Sequence, residues 1–185
     1  MRTILFYSTL LFHCFLFSQE TQPYEMYSLH FDINNYFKDA QRAFDSVGII
    51  TQKGKYNALT ISVYGTMCAD EFNKNRDSVY FHRVINQYKY FSDTSKLIFS
   101  DNGNSVGLPY RFNYKKIKAP WYSGLTQGMA ASFLFRYYEL TKDESALVLA
   151  QKVVRHMLKP ESEGGTIGIT KEGCTWIEEY PNWRG

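Results

Sequence analysis

Two stretches of this chain repeat one another 66 residues apart, and that spacing restricts the fold more than any other feature. Tyr56-Asn57-Ala58-Leu59-Thr60 recurs as Tyr122-Ser123-Gly124-Leu125-Thr126, and the same step carries Asp77 onto Asp143 and Phe72 onto Tyr138. Each copy reads as a pair of helices. The first helix runs from about Asn57 to Phe72 with Leu59, Val63 and Met67 on one stripe, and the second starts at an Asp77 cap with Phe81, Val84, Ile85 and Tyr88 at helical spacing. In the second copy Ser123 caps a helix carrying Leu125, Met129, Phe133 and Tyr137. Asp143 opens its partner, which presents Ala146, Leu149, Ala150, Val153 and Met157 and ends before Pro160. Short turns within each pair make antiparallel αα-hairpins, and a long-period repeat of such pairs predicts an αα-solenoid or (α/α) toroid. Two pairs do not close a ring. The expected class is all-α, an incomplete (α/α) barrel or toroid with an inserted β-hairpin.

The rest of the chain fits around these helices. Residues 19–54 read as an irregular N-terminal segment, with a turn at Asp32-Ile33-Asn34-Asn35, a helical turn over Ala40 to Phe44, and a short strand from Val47 to Ile50 that Thr51-Gln52-Lys53-Gly54 breaks. A loop from Ser92 to Pro120 joins the pairs; loops of that length inside a compact domain are often functional. After Pro160, Thr166 to Thr170 alternates with period two, Lys171-Glu172-Gly173 turns, and Cys174 to Tyr180 returns, which predicts a β-hairpin. At the start, Arg2, the apolar run Ile4 to Phe17 and Ser18 have the layout of a secretory signal peptide over residues 1–18. The run is shorter than the roughly 20 residues a spanning helix needs, so export to the periplasm or outside is expected, with an uncleaved anchor as the alternative. Cys68 and Cys174 then allow one disulfide.

Charge excludes little. The net value of +3 is too mild for nucleic acid, which calls for a basic stripe and a recognisable motif. An acidic carbohydrate fits it. The aromatic share is high at 17%, with 15 Tyr and 14 Phe, and rings that are not spent on the core offer flat faces on which sugars stack.

Two clusters carry chemistry. In Trp176-Ile177-Glu178-Glu179-Tyr180-Pro181, adjacent carboxylates stand between aromatic rings, and burial beside a ring tunes a carboxyl for proton transfer. A solvated acidic strand end has the same composition. In Lys118-Ala119-Pro120-Trp121-Tyr122-Ser123 a loop enters a helix; Gln127 follows one turn on, and helix N-termini favour anions. A capped helix with glycines for close packing explains that segment equally well. His30, His82 and His156 lack metal-ligand spacing, Cys174 has no evident partner, and there is no phosphate loop, nucleophile elbow or dinucleotide fingerprint.

Taken in order, Ala119-Pro120-Trp121-Tyr122-Ser123 with Gln127-Gly128, then Leu140-Thr141-Lys142-Asp143, Glu163-Gly164-Gly165 and Glu178-Glu179-Tyr180-Pro181 resemble the D-glucuronyl C5-epimerase C-terminal domain. Tyr56-Asn57 with Ile61 and Tyr64-Gly65 resembles the helix before it, so the likeness spans roughly residues 45–182. The resemblance implies an (α/α) barrel that inverts C5 of glucuronate in a heparan or heparosan chain, an isomerase needing no cofactor. It assigns Glu179 and Tyr180 to catalysis, and Trp121, Tyr122, Gln127, Tyr56 and Asn57 to substrate contact. Enzymes of that family carry a β-sandwich before the barrel and further tyrosine-bearing helices after it, so residues 55–185 are expected to be a partial domain, and the polypeptide alone an inactive fragment or a non-catalytic carbohydrate-binding protein. A uronate lyase or glycoside hydrolase of related fold is the other alternative. The partner expected is an acidic polysaccharide, with no nucleic acid and no stable membrane insertion once the signal is removed; a homodimer is compatible.

Overall fold

The computed structural model describes Ile33 and residues 42–181, so the signal-peptide reading and His30 lie outside the described residues. Four helices form two αα-hairpins: α1 (Ala58–Asn75) with α2 (Ser78–Ser92), and α3 (Gly124–Thr141) with α4 (Glu144–Met157). The repeat holds down to its ends. α1 and α3 begin after Asn57 and Ser123, whose side chains accept from the N–H groups of Thr60 and Thr126 at 3.2 Å each. Both helices close on a left-handed residue, Arg76 (φ 58) and Lys142 (φ 60), whose N–H returns to Phe72 and Tyr138. Asp77 and Asp143 then cap the return helices, each accepting at 2.9 Å. Such a cap is worth about 1 kcal/mol.

α1 and α3 lie side by side and run the same way. Gly65 of α1 stands against the Phe133 ring, where a Cβ would not fit, and further along Asp70 meets Arg136 at 3.4 Å. Tyr88 of α2 stacks on Tyr137 of α3 with ring centroids 3.9 Å apart. Because α2 and α3 both press on α1, that helix is buried on most sides: Ile61, Tyr64, Met67 and Cys68 are in the core, while Leu59 and Val63 are only half-buried. The expected α1 stripe is therefore corrected towards Ile61 and Tyr64. In α3, Leu125 is exposed and Ala130, Phe133, Leu134 and Tyr137 fill the core.

The described residues are helix-rich but not purely helical, since three two-stranded antiparallel sheets accompany the helices. β1 (Arg42–Phe44) pairs with β2 (Ile50–Gln52), where the sequence suggested a helical turn; the Asp45 carboxylate accepts from the N–H groups of Val47 and Ile49 and folds the strands together. Val47 lies in that turn, so the strand expected from it begins at Ile50, and buried Ile49 and Ile50 tie this segment into the helical core. Within the long loop, β3 (Ile98–Phe99) pairs with β4 (Val106–Gly107). β5 (Ile167–Ile169) pairs with β6 (Thr175–Ile177) as the expected hairpin, with Gly168 opposite Trp176. No disulfide joins Cys68 and Cys174: among the described residues Cys68 is buried in α1, Cys174 is exposed at the β5–β6 turn, and both are free thiols. Among the described residues no helix is long and apolar enough to cross a membrane.

Candidate active site

The parallel first helices bring their N-terminal ends together, and the long loop and the β5–β6 hairpin meet over those ends. Two hydrogen bonds set the hairpin's position. The Glu178 carbonyl accepts from Gly124 N–H at 2.9 Å, at the first residue of α3, and Glu178 N–H donates to the Thr166 carbonyl at 2.7 Å. Gly124 carries no side chain for a reason, since a Cβ would stand 2.7 Å from the Glu178 oxygen and clash with Ile177. β6 ends at Ile177, so Glu179 and Tyr180 leave the strand and turn towards the loop.

There Tyr180 joins an aromatic cluster. Its ring stacks on Tyr114 at 5.3 Å and tilts against Trp121 at 6.0 Å. Trp121 is buried, stacks on Tyr110 at 4.4 Å, and its indole N–H donates to the Phe112 carbonyl at 2.8 Å. Paired backbone bonds between Tyr110 and Trp121, at 2.8 and 3.2 Å, fasten the loop to the entry of α3. Alternation along Tyr110, Phe112 and Tyr114 places these rings around Trp121.

The polar groups of the cluster converge on Tyr110. Its hydroxyl lies 2.8 Å from Thr126 Oγ1 in the first turn of α3, and Asn57 at the start of α1 acts on it as well. Burial raises the Tyr110 phenol above its ordinary pKa, the Thr126 and Asn57 bonds oppose that, and the Glu179 charge adds to it. Tyr180 is raised chiefly because it is hydrogen-bonded to Glu179, with burial and the Glu179 charge adding. Two phenols with raised pKa values therefore stand within the field of one acidic side chain.

A groove of about 500 Å³ opens beside Tyr110, lined by Lys55, Tyr56, Asn57, Tyr90, Lys96, Arg111 and Phe112 among others. Tyr56 is 45% exposed; its hydroxyl donates to Asp45 at 2.6 Å and Lys96 lies over its ring. Thus Glu179, Tyr180, Trp121, Asn57 and Tyr56 gather at one end of the helices. Two other residues singled out in the sequence stand apart. Gln127 is fully buried and spends its amide on Leu108, accepting from its N–H at 3.1 Å and donating to its carbonyl at 3.0 Å. Tyr122 packs edge-on over His156 at 4.2 Å and faces a second hollow, of about 320 Å³, with Lys116, Lys118 and Glu161. Sequence reasoning missed Tyr110, Tyr114 and Arg111, although the alternation of Tyr110, Phe112 and Tyr114 was an available signal for the two tyrosines. Among the described residues no group of three or more His, Cys, Asp or Glu is placed to hold a metal.

Residues 101–184 match the family model described as the D-glucuronyl C5-epimerase C-terminus. The matched span takes in the loop from residue 101 onwards, α3, α4 and the β5–β6 hairpin, with Trp121, Glu179 and Tyr180; α1, α2 and β3 precede it.

Proposed function

Because residues 101–184 match the model of the D-glucuronyl C5-epimerase C-terminus, we propose that the Glu179–Tyr180 corner acts on glucuronate in a heparosan-type chain, exchanging the proton at C5. The observation that carries this reading is the meeting of Glu179, Tyr180 and Tyr110 over Trp121 at the ends of two helices. The C5 hydrogen lies α to the uronate carboxylate. A base that removes it leaves the bond's electron pair in an enediolate, and an acid on the opposite face returns a proton to C5. Glu179 takes the role of base and Tyr180 its hydrogen-bonded partner. Tyr110, hydrogen-bonded to Thr126, supplies a phenol on the groove side. One turnover leaves Glu179 protonated and the phenol ionised, and transfer of that proton between them restores the starting state. Each positioned acid or base typically contributes roughly 10²–10⁴-fold. Helix N-termini at Asn57 and Ser123 favour the charge that builds on the enediolate. In this reading the two helix pairs are consecutive segments of an (α/α) toroid, the site lies at its rim, and the chain is exported.

The exposed rings of Tyr56 and Phe112 favour a second reading, in which the same groove only binds sugar. Incubation with heparosan in deuterated water separates the alternatives. Deuterium at C5 without chain cleavage supports epimerisation, unsaturated ends indicate a lyase, and binding without exchange leaves a carbohydrate-binding protein. Glu179→Gln and Tyr180→Phe are each expected to lower exchange at least roughly 10²-fold; full exchange in both variants would remove these residues from the reaction.

A further inference from the structure

The groove beside Tyr110 has an unusual electrical character. Its lining holds three cations, Lys55, Lys96 and Arg111, and no carboxylate. Lys96 is engaged, paired with Asp93 at 3.5 Å and lying over the Tyr56 ring. Lys55 and Arg111 have no ion-pair partner among the described residues. Arg111 has one hydrogen bond, from Nη2 to the Ser95 carbonyl at 3.5 Å, which turns its guanidinium towards the segment bearing Lys96. Arg111 and Tyr90 both line the groove, and the Arg111 charge offsets part of the burial that pushes the Tyr90 phenol up to about 12. Around these charges stand exposed aromatic faces, Tyr56 at 45% and Phe112 at 53%.

A neutral sugar would need the rings but not the cations. A uronate needs both, because an arginine fork binds a carboxylate through two parallel N–H···O bonds while a ring packs on the sugar face. We infer that Arg111, supported by Lys55 and Lys96, binds a sugar carboxylate in this groove and is the residue that makes the chain select uronate over neutral polymers. The inference rests on the proposed action on glucuronate, and it names the group that recognises the charge. Tyr110 lines this groove and its ring stacks on Trp121, which also meets Tyr180, so a sugar whose carboxylate reaches Arg111 lies beside the Glu179–Tyr180 corner. Arg111 is exposed and its one bond is long, so its replacement leaves the fold intact.

The test compares the full chain with heparosan oligosaccharides and with their carboxyl-reduced forms, in which each glucuronate has become glucose. Calorimetric titration at low salt is expected to give binding roughly 10- to 100-fold tighter for the native oligosaccharide. Arg111→Gln is expected to erase most of that preference while leaving affinity for the reduced form unchanged. Lys152→Gln, an equal charge change on α4, which lines no part of this groove, is expected to keep the preference. Equal affinity of the wild-type chain for the two polymers, binding of neither, or undiminished preference in Arg111→Gln would each overturn the inference. Failure of the reaction is read separately: charge selection through Arg111 without deuterium at C5 sinks the epimerase reading alone, whereas exchange that Arg111→Gln leaves untouched sinks the role of Arg111 alone.

Discussion

Acid should weaken this fold through His156. The residue is 7% exposed, packs under the Tyr122 ring at 4.2 Å, and its Nε2 atom is buried without a hydrogen-bond partner among the described groups. Burial, and secondarily the charge of Lys159, lowers its pKa from 6.5 to about 4. Between those values the unfolded chain binds a proton that the folded chain refuses, so stability rises with pH. The contribution is fully present above about pH 6.5 and is lost as the pH falls towards 4. At about 1.4 kcal/mol for each pH unit, the gap amounts to about 3 kcal/mol. That is a large part of the 5–15 kcal/mol typical of a domain. Urea unfolding followed by circular dichroism, run at several pH values across this window, measures it. His156→Leu keeps an apolar group under Tyr122 and removes the titration, while the carboxylates contribute alike to both proteins. The wild-type chain is expected to lose about 3 kcal/mol more than the variant across the window. Parallel losses in the two proteins would refute the assignment.

Three further perturbations act on the supports of the site. Gly124→Val sets a side chain against the Glu178 carbonyl and Ile177, so C5 exchange is expected to collapse while the far-ultraviolet helical signal persists. Gln127→Leu strands the buried N–H and carbonyl of Leu108, and denaturant titration should register a loss of about 2–4 kcal/mol. Asp70→Asn leaves the Arg136 cation buried, with its side chain 5% exposed, and an unfolding midpoint reporting about 3–5 kcal/mol of destabilisation is expected.

What the sequence discloses here is what short-range physics decides. The caps at Asn57, Asp77, Ser123 and Asp143 are legible because each oxygen meets an N–H two or three residues on. The repeat is legible for the same reason, since its signature is an ordered string of caps and rings. The buried face of α1 is not, because two neighbouring helices cover it and periodicity assumes one dry side. β1 was hidden because Arg42–Phe44 becomes a strand only on pairing with Ile50–Gln52. At the site, Glu179, Tyr180 and Trp121 stand out as an ordered motif, but Tyr110 gains its place through a backbone bridge to Trp121 that no local pattern announces. Gln127 looks like a ligand contact in sequence, and only the position of Leu108 reveals that its amide holds a loop.

The double attachment of Glu178 has a mechanical consequence. With its N–H tied to Thr166, just before β5, and its carbonyl to the first turn of α3, the peptide leading into Glu179 inherits the stiffness of the helix stack. The hairpin tip, where Lys171 to Cys174 are exposed, lies beyond that anchorage. A disturbance at the tip should therefore be damped before it reaches the proton-bearing groups. A tilt of α3, by contrast, would be transmitted to them as if through a lever, so the alignment of the chemistry is governed from the helical body rather than from the surface.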